Sequence, residues 1–363
     1  MPTMWQRDLS ADRERLHAWL QRRLPEARDI ALSELVAPQT SGFSNETLLF
    51  ELELSENGQR QRRPLVVRIE PSGEGVFPEY DLGLQFRTMQ MLARTDVPVP
   101  RVHWLESADR TVLGGAFYVM DQVRGRVPPD QPPYHVAGWL TEVGPAERAA
   151  IWWGGIETLA TIHRLDYRAL GFAFLERPEL GATPLDWQIA YYERYRTWAA
   201  GSRPLPTLDA ALAWLKRNRP TGEPTVLSWG DARIGNIIFD DTGPAAVLDW
   251  EMVALGSPEM DLAWSFFLDR HHSEGVEVPR LEGFPSYEAS VERYEALTGH
   301  RVRHLHYYEV FAGFRFAAIM TRIAHQMVTY GLMDEASGRD FEVNNTVTRL
   351  LAKLLDLPAP GGG

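Results

Sequence analysis

The fold of this chain is decided by one stretch of sequence. Residues 227–239 read Leu-Ser-Trp-Gly-Asp-Ala-Arg-Ile-Gly-Asn-Ile-Ile-Phe, and residues 245–251 read Ala-Ala-Val-Leu-Asp-Trp-Glu. Two apolar runs on either side of a polar turn predict a tight hairpin. Such a hairpin would bring Asn236 and Asp249 to neighbouring strand ends, with Asp231 across a short loop.

These three polar side chains form a set that suits phosphoryl transfer. The reaction needs a carboxylate that orients or deprotonates the attacking hydroxyl, and a Mg²⁺ ion held by oxygen ligands. We interpret Asp231 as the catalytic carboxylate and Asn236 and Asp249 as the Mg²⁺ ligands, while Glu251 is either a water-mediated metal contact or a surface residue. Because Asp and Asn are common turn formers, Asp231 and Asn236 alone would be a weak signal without the hairpin and the second Asp.

The same segment resembles the catalytic and metal-binding segment of the aminoglycoside phosphotransferase and choline kinase superfamily. Downstream, residues 256–263 (Gly-Ser-Pro-Glu-Met-Asp-Leu-Ala) are similar to a family pattern in which the Asp, here Asp261, buttresses the catalytic loop. His163, in a helix motif similar to one of this family, is expected to pack behind that loop. The resemblance covers about residues 41–265 and implies an α+β, bilobal, protein-kinase-like fold. Its small N-terminal lobe is an antiparallel β-sheet with one helix, and its larger C-terminal lobe is mainly helical.

Hydrophobic periodicity along the chain supports this division. Apolar alternation and helical spacing predict strands at 48–54, 65–69, 101–106 and 116–122, and helices at 82–92, 145–165, 185–199, 208–218, 286–297, 304–330 and 340–355. A further helix is predicted around Leu16, with Ser10 as its N-cap, and the polar residues 61–63 are predicted to form a solvated loop end. We expect residues 1–122 to form a nucleotide-binding lobe and residues 123–363 a helical lobe with the catalytic loop and the acceptor site. A ligand cleft is expected between them.

The resemblance also implies an ATP site in the first lobe. Residues 41–47 match the loop that covers the phosphates in the family, with Gly42, Ser44 and Asn45 as contacts. Arg68 stands where kinases carry the phosphate-binding Lys, and a guanidinium can grip phosphate oxygens in a bidentate way. The same Arg68 could also be a strand-edge residue that faces solvent.

The adenine end of the site and two departures from the family complete the comparison. By position, the hinge contacts are Met120, the carbonyl of Asp121 and the N–H of Val123. Gln85 stands where the family has the Glu partner of the phosphate-binding residue, so it supplies no charge. Trp229 stands where the family has a His that braces the catalytic loop, and Trp can donate only one hydrogen bond.

Composition excludes several other classes of protein. The chain has 363 residues, and 37 Lys plus Arg against 49 Asp plus Glu give a net charge of −12, which argues against a nucleic-acid binder. It contains no cysteine, which excludes disulfides and thiol catalysis, and neither a Walker A sequence nor a G-x-S-x-G motif. Because no apolar run suits a signal peptide or a membrane helix, we expect a cytoplasmic protein with no membrane partner. The oligomeric state stays open.

The function that these observations predict is an ATP- and Mg²⁺-dependent phosphotransferase. It would move the γ-phosphoryl group to a hydroxyl of a small molecule, either an aminoglycoside-like antibiotic or a hydroxylated metabolite. The acceptor is open, because side chains of both charges are candidates for its pocket: Glu193, Asp269, Glu309, Arg233, Arg315 and Arg322. The alternative is a catalytically weak nucleotide-binding pseudokinase with a regulatory or scaffolding role, which the departures favour and the complete set of Asp231, Asn236 and Asp249 opposes.

Overall fold

The computed structural model describes residues 7–38, 45–56, 58–71, 73 and 75–361. The described chain packs as two compact units. The first contains the chain up to Thr95 together with Val99–Arg124, and the second contains Asp96–Pro98 and Gly125–Gly363. The first holds an antiparallel sheet and the second is mainly helical, so the predicted α+β class is confirmed.

The first unit is built on a sheet that has five strands among the described residues. The elements in chain order are α1 (Leu9–Arg23), β1 (Arg28–Leu32), β2 (Glu46–Glu56), β3 (Gln59–Ile69), α2 (Leu82–Leu92), β4 (Val102–Glu106) and β5 (Phe117–Asp121). The strand order is β1-β2-β3-β5-β4, and every neighbouring pair is antiparallel. The predicted helix at 82–92 and the four predicted strands are confirmed within a few residues, whereas β1, which shows little apolar alternation, was not predicted.

Two local predictions in this unit are wrong. Residues 61–63 do not form a loop end, because they continue β3 and pair with β2, Gln61 lying opposite Leu54. Charged cross-strand pairs make this polar stretch suitable for a strand, as for Arg62 and Glu53, which lie opposite each other with 3.8 Å between their charged groups. The N-cap of α1 is Asp8 and not Ser10, because the Asp8 carboxylate accepts a hydrogen bond from the Ala11 N–H.

A buried carboxylate ties α1 to the far edge of the sheet. One oxygen of Glu106, in β4, accepts hydrogen bonds from Trp19 Nε1 and Arg23 Nη2, both at 2.8 Å. Its other oxygen accepts from the backbone N–H groups of Ala108 and Asp109. The hydrogen bond from Trp19, with those from Asp109, Arg23 and Ala108, lowers the pKa of Glu106 from 4.5 to about 2, against the opposing effect of burial.

This depressed pKa predicts a defined loss of stability in acid. A carboxylate whose pKa is lower in the folded state stabilises the fold fully above its unfolded pKa and loses that contribution as the pH falls through its folded pKa. We expect the wild-type protein to exceed Glu106→Gln in free energy of unfolding by about 2 kcal/mol above pH 4.5. The difference should narrow between pH 4.5 and pH 2, as measured by urea unfolding.

The control for this prediction is Glu53→Gln, which removes the half-buried partner of the exposed Arg60 and should change the free energy by less than about 0.5 kcal/mol. A difference between wild type and Glu106→Gln that stays constant with pH would contradict the role given to Glu106.

The second unit combines helices with two small two-stranded sheets. Its elements in chain order are α3 (Trp139–Glu142), α4 (Pro145–His163), α5 (Pro184–Ala200), α6 (Pro206–Arg217), β6 (Val226–Ser228), β7 (Ile237–Asp240), β8 (Gly243–Val247), β9 (Ala254–Gly256), α7 (Pro258–His272), α8 (Tyr287–Thr298), α9 (Leu305–Thr329), α10 (Glu335–Val343) and α11 (Thr346–Leu354). β6 pairs with β9 and β7 pairs with β8, both antiparallel. The long helix α9 packs against α5, α6, α7, α10 and α11.

The helices of this unit confirm most predicted positions, with two differences. Helix α7 was not predicted, because nearly all of its side chains are buried and it therefore lacks the polar face that gives helical periodicity. The predicted helix at 340–355 is two helices, because α10 ends at Val343 and a new helix, α11, begins after Asn345. The Asn345 side chain caps α11 by accepting hydrogen bonds from the backbone N–H groups of Val347 and Thr348. No helix within the described ranges is both long and apolar enough to cross a membrane.

Candidate active site

A buried carboxylate organises the loop that follows β6. Asp261, in the first turn of α7, is fully buried. Its Oδ1 accepts hydrogen bonds from Ser228 Oγ at 2.7 Å and from the Gly230 N–H at 3.0 Å, and its Oδ2 accepts from the Trp229 N–H at 2.7 Å. Because β6 pairs with β9 and β9 leads directly into α7, the sheet brings this carboxylate under the loop. The predicted buttressing contact is therefore present.

Further contacts hold Asp261 in place. His163 Nε2 lies 3.0 Å from Asp261 Oδ2, and its Nδ1 lies 2.7 Å from the hydroxyl of Tyr294. His163 thus lies behind the loop, as predicted. Burial alone would raise the pKa of Asp261, but the hydrogen bonds from His163, Ser228 and Trp229 outweigh burial and lower that pKa below its ordinary value. Asp261 is therefore an ionised acceptor at neutral pH.

The loop backbone at Gly230 has a conformation that favours glycine. Its φ is +93°, in the left-handed region, and a Cβ at this position would collide with the Met252 carbonyl. The Gly230 carbonyl accepts a hydrogen bond of 3.1 Å from Arg315 Nη2. Arg315 is buried, and its guanidinium carbon lies 4.5 Å from the ring centre of Trp264 and 5.0 Å from that of Tyr192. The loop is thus held by an anion on its N–H side and by a cation on its carbonyl side.

Asp231 follows residues 228–230, which Asp261 and Arg315 hold in place, and its carboxylate is oriented by three donors. Oδ1 accepts a hydrogen bond of 2.7 Å from Trp264 Nε1, and Oδ2 accepts one of 2.6 Å from Asn236 Nδ2. Arg233 Nε lies 3.2 Å from both oxygens. The structure therefore brings Asp231 and Asn236 together, as their spacing predicted.

The predicted hairpin after Asp231 is present and connects Asn236 to Asp249. Strands β7 and β8 pair, and the Leu248 N–H donates to the Asn236 carbonyl at 2.8 Å. Asp249 follows with a φ of +59°. The amide of Asn236 uses its Nδ2 on Asp231, while its Oδ1 accepts no hydrogen bond from any described residue.

Trp229 connects the loop at residues 228–231 to the β7–β8 hairpin. Its indole is buried, and its Nε1 donates a hydrogen bond of 2.8 Å to the carbonyl of Leu248, the residue before Asp249. Trp229 also packs against Trp250, with 6.0 Å between ring centres. Trp229, which departs from the family pattern, therefore stabilises the loop by one hydrogen bond to Leu248 and by packing against Trp250.

Two of the predicted phosphate contacts, Arg68 and Asn45, lie within the described residues. Arg68, in β3, donates a hydrogen bond of 3.1 Å from Nη1 to Thr47 Oγ1. Gln85 is buried in α2, where its Oε1 accepts a hydrogen bond of 3.2 Å from the Tyr118 hydroxyl. Asn45 is buried immediately before β2. Gly42 and Ser44 lie outside the described residues.

The predicted hinge residues occupy the end of the sheet. Met120 is buried in β5, where it lies opposite Val66 of β3. Asp121 is the last residue of β5, and its carboxylate lies 2.6 Å from His103 Nε2. Val123 is half-buried just after the strand.

The carboxylates proposed for an acceptor pocket are all engaged elsewhere. Asp269 is fully buried in α7 and is bound by four side chains, namely Tyr134, His135, Arg280 and Tyr287, at 2.6 to 2.9 Å. Glu309 lies 3.1 Å from Arg270, and Glu193 lies 2.6 Å from Lys216. The interpretation of Asp269 as a pocket carboxylate is therefore wrong, because its role is to hold the segment around Tyr134 and His135 against α7.

Sequence reasoning missed two residues that contact this centre. Trp264 orients Asp231 from α7, and Asp130 binds Arg233 Nη1 with both carboxylate oxygens, at 2.5 and 2.6 Å. Trp264 lies 33 positions from its partner and Asp130 lies 103 positions from its own. Asp130 stands in a Pro-rich segment, whose fixed φ angles were the one available signal of a rigid position.

The bond from Trp229 to Leu248 can be tested by replacing the indole with a smaller ring that has no N–H. We expect Trp229→Phe to lower the free energy of unfolding by about 2–3 kcal/mol, because a buried carbonyl loses its donor and the smaller ring leaves a cavity. Urea unfolding measures the change. Trp139→Phe is the matched control, since Trp139 donates a similar bond to Val127 at an exposed position and should lose less than about 1 kcal/mol. Equal losses in the two variants would contradict a bracing role for Trp229.

Comparisons with known sequences identify the family of this chain. The sequence model of the phosphotransferase enzyme family matches residues 36–297. A rat protein, acyl-CoA dehydrogenase family member 11, is 31% identical over 252 residues, which are 68% of this chain and 30% of that protein. The chain thus spans about 30% of the length of this curated relative.

Solved structures show the same fold. A Ralstonia eutropha protein, solved as a candidate aminoglycoside phosphotransferase, is 28% identical with a TM-score of 0.67, and the match covers 94% of this chain and 96% of that one. Aminoglycoside phosphotransferase APH(4)-Ia, solved with ADP and hygromycin B, is 16% identical with a TM-score of 0.54, covering 96% of this chain and 99% of that one. The predicted protein-kinase-like fold is confirmed, and the chain belongs to the phosphotransferase enzyme family.

Proposed function

We propose that this chain transfers the γ-phosphoryl group of ATP, with Mg²⁺, to a hydroxyl of a small molecule. The observation that carries the proposal is the arrangement of Asp231, Asn236 and the strand end at Asp249 around one loop, held by the buried Asp261. Family membership supports the reaction class. Positioning and electrostatic stabilisation supply nearly all of the catalysis in such enzymes.

Asp231 is the residue we assign to the acceptor hydroxyl. Its carboxylate is fixed by Trp264 and Asn236 at hydrogen-bond distance, so little reorganisation is needed when a hydroxyl approaches. It would orient that hydroxyl and take up its proton as the new bond to phosphorus forms. Asp261 and Arg315 contribute by fixing the backbone on either side of Gly230.

The donor set around the hairpin fits a Mg²⁺ ion. Mg²⁺ prefers oxygen ligands, often carboxylates that act together with phosphate oxygens. Asn236 Oδ1, which no described residue hydrogen-bonds, and the carboxylate of Asp249 would hold the ion. When bound, Mg²⁺ neutralises charge on the phosphates.

The first unit carries the residues we assign to ATP. Arg68 would contact the phosphates together with Gly42, Ser44 and Asn45, and Thr47 orients its guanidinium. Met120, the Asp121 carbonyl and the Val123 N–H would contact adenine. The structure of the APH(4)-Ia protein of the same fold in complex with ADP supports this choice of nucleotide.

The acceptor we favour is a hydroxylated metabolite and not a polycationic aminoglycoside. An aminoglycoside would need unpaired carboxylates in the helical unit, yet Glu193, Asp269 and Glu309 are each bound by a protein cation. The relatedness to a protein named for acyl-CoA dehydrogenation supports hydroxylated acids of acyl metabolism as the first compounds to test. A pseudokinase would not need a carboxylate oriented by three donors, as that of Asp231 is. This orientation therefore favours an enzyme.

The test is ADP release with Mg²⁺·ATP against a panel of hydroxy acids, their thioesters, amino alcohols and aminoglycosides. We expect one class to stimulate release, and Asp231→Asn to lower kcat by about 10²–10⁴-fold with the Kd for ATP changed less than about threefold. Asp340→Asn, an exposed carboxylate of α10, is the matched control and should behave as wild type.

Two outcomes would contradict the proposal. Binding of ATP with no stimulation by any class, and no effect of Asp231→Asn, would favour the pseudokinase. Turnover that persists in Asp231→Asn would exclude Asp231 as the residue that handles the acceptor proton.

A further inference from the structure

Arg233 lies beside Asp231 and has one donor group that binds no residue within the described ranges. Its Nε lies 3.2 Å from both Asp231 oxygens, and its Nη1 lies 2.5 and 2.6 Å from the two oxygens of Asp130. The third nitrogen, Nη2, donates no hydrogen bond to any part of the chain that the structure describes. The side chain is 18% exposed, so this nitrogen is accessible.

The charge balance around Arg233 is one cation between two carboxylates. Burial would lower the pKa of Arg233, but Asp130 and Asp231 outweigh burial and raise it far above its ordinary value, so the guanidinium stays charged. The two nearby histidines do not add to this charge. Burial and Arg233 lower the pKa of His271 to about 4, and burial, His271 and Arg233 lower the pKa of His272. Arg233 therefore supplies a positive charge between the carboxylates of Asp231 and Asp130.

Arg233 contacts the carboxylate that takes up the acceptor proton in the proposed reaction. A hydroxyl hydrogen-bonded to Asp231 lies about 3 Å from its carboxylate, and the γ-phosphorus that this hydroxyl attacks lies a further ~3 Å away. A guanidinium already in contact with the same carboxylate can therefore reach the oxygens of that phosphoryl group. Fixed cations aimed at the oxygens of a phosphoryl group in transit stabilise the transition state more than the bound substrate.

We propose that Arg233 is a catalytic residue that donates N–H groups to the γ-phosphoryl oxygens during transfer, and that Asp130 is its positioning residue. The inference rests on the proposed function. In the step, a bond forms between the acceptor oxygen and the γ-phosphorus, and the bond from that phosphorus to the β,γ-bridging oxygen breaks. The electron pair of the broken bond stays on ADP, and the acceptor proton passes to Asp231.

A structural role makes a different prediction for the same residue. If Arg233 served only to tie the Pro-rich segment at Asp130 to the loop, its replacement would lower the free energy of unfolding. It would also weaken the binding of a ground-state mimic and of a transition-state mimic to the same extent. Asp130 binds Nη1 with both oxygens, and among the described residues none accepts a hydrogen bond from Nη2. A purely structural tie has no need for that open donor.

The experiment compares binding of a ground-state and a transition-state mimic. Wild type, Arg233→Gln and Arg233→Lys are titrated with Mg²⁺·AMP-PNP and with Mg²⁺·ADP in the presence and absence of fluoroaluminate, and kcat for ADP release is measured alongside. Arg293→Gln is the matched control, because Arg293 pairs with Glu157 at an exposed position and has no role in the site.

We expect Arg233→Gln to lower kcat by about 10²–10³-fold while the Kd for Mg²⁺·AMP-PNP changes less than about threefold. Fluoroaluminate should tighten Mg²⁺·ADP binding in wild type and in Arg293→Gln, and this tightening should be lost in Arg233→Gln. Arg233→Lys, which keeps the charge but not the fork, should retain part of both effects. Asp130→Asn should lower kcat by about tenfold without abolishing the response to fluoroaluminate.

The outcomes separate this inference from the function on which it rests. An active wild type with Arg233→Gln equal to it in kcat and in fluoroaluminate response would overturn the inference alone. Equal weakening of AMP-PNP and of the fluoroaluminate complex would assign Arg233 a structural role and would also overturn it. A wild type that binds no nucleotide would overturn both.

Discussion

The contact on which the rest of the site depends is the set of hydrogen bonds that Asp261 accepts from Ser228, Trp229 and Gly230. A buried carboxylate is costly unless donors surround it, and here the donors are two successive backbone N–H groups, a hydroxyl and His163. Each hydrogen bond to a charged group contributes about 1.5–3 kcal/mol. The loop conformation that satisfies Asp261 is therefore strongly preferred to any other.

The consequence for function is that Asp231 is presented by a backbone with little freedom. Arg315 holds the Gly230 carbonyl on the opposite side from Asp261, and Trp229 connects the loop to the hairpin that carries Asn236 and ends at Asp249. A reaction that depends on positioning benefits from such a frame, because a shift of about 1 Å can cost a hundredfold in rate. Three donors orient the Asp231 carboxylate within it.

The sequence allowed prediction of those features whose cause is local. The hairpin after Asn236 follows from apolar runs around a turn, and α2 was predicted with its exact ends because its helical period is readable. The structure adds Asp81 as its N-cap. The contact of Asp261 with the loop came from resemblance alone, since 33 positions separate Asp261 from Ser228.

What could not be predicted depends on tertiary context. Trp264 and Asp130 reach the centre from distant parts of the chain, and no local pattern identifies their partners. Helix α7 lacks a polar face because it is buried all round, so periodicity could not reveal it. Asp269 was a candidate pocket carboxylate because of its place in the helical lobe, whereas burial and four donors give it a structural role.

The central claim is that one buried carboxylate fixes the loop that presents Asp231, and Asp261→Asn tests it most directly. Asn keeps the shape but replaces one acceptor oxygen by a donor, so part of the loop loses its partner. Amide hydrogen exchange at Trp229 and Gly230, measured together with kcat for ADP release, should rise by about 100-fold beyond any global change while kcat falls by a similar factor. Unchanged exchange at both amides, with turnover equal to wild type, would contradict the account.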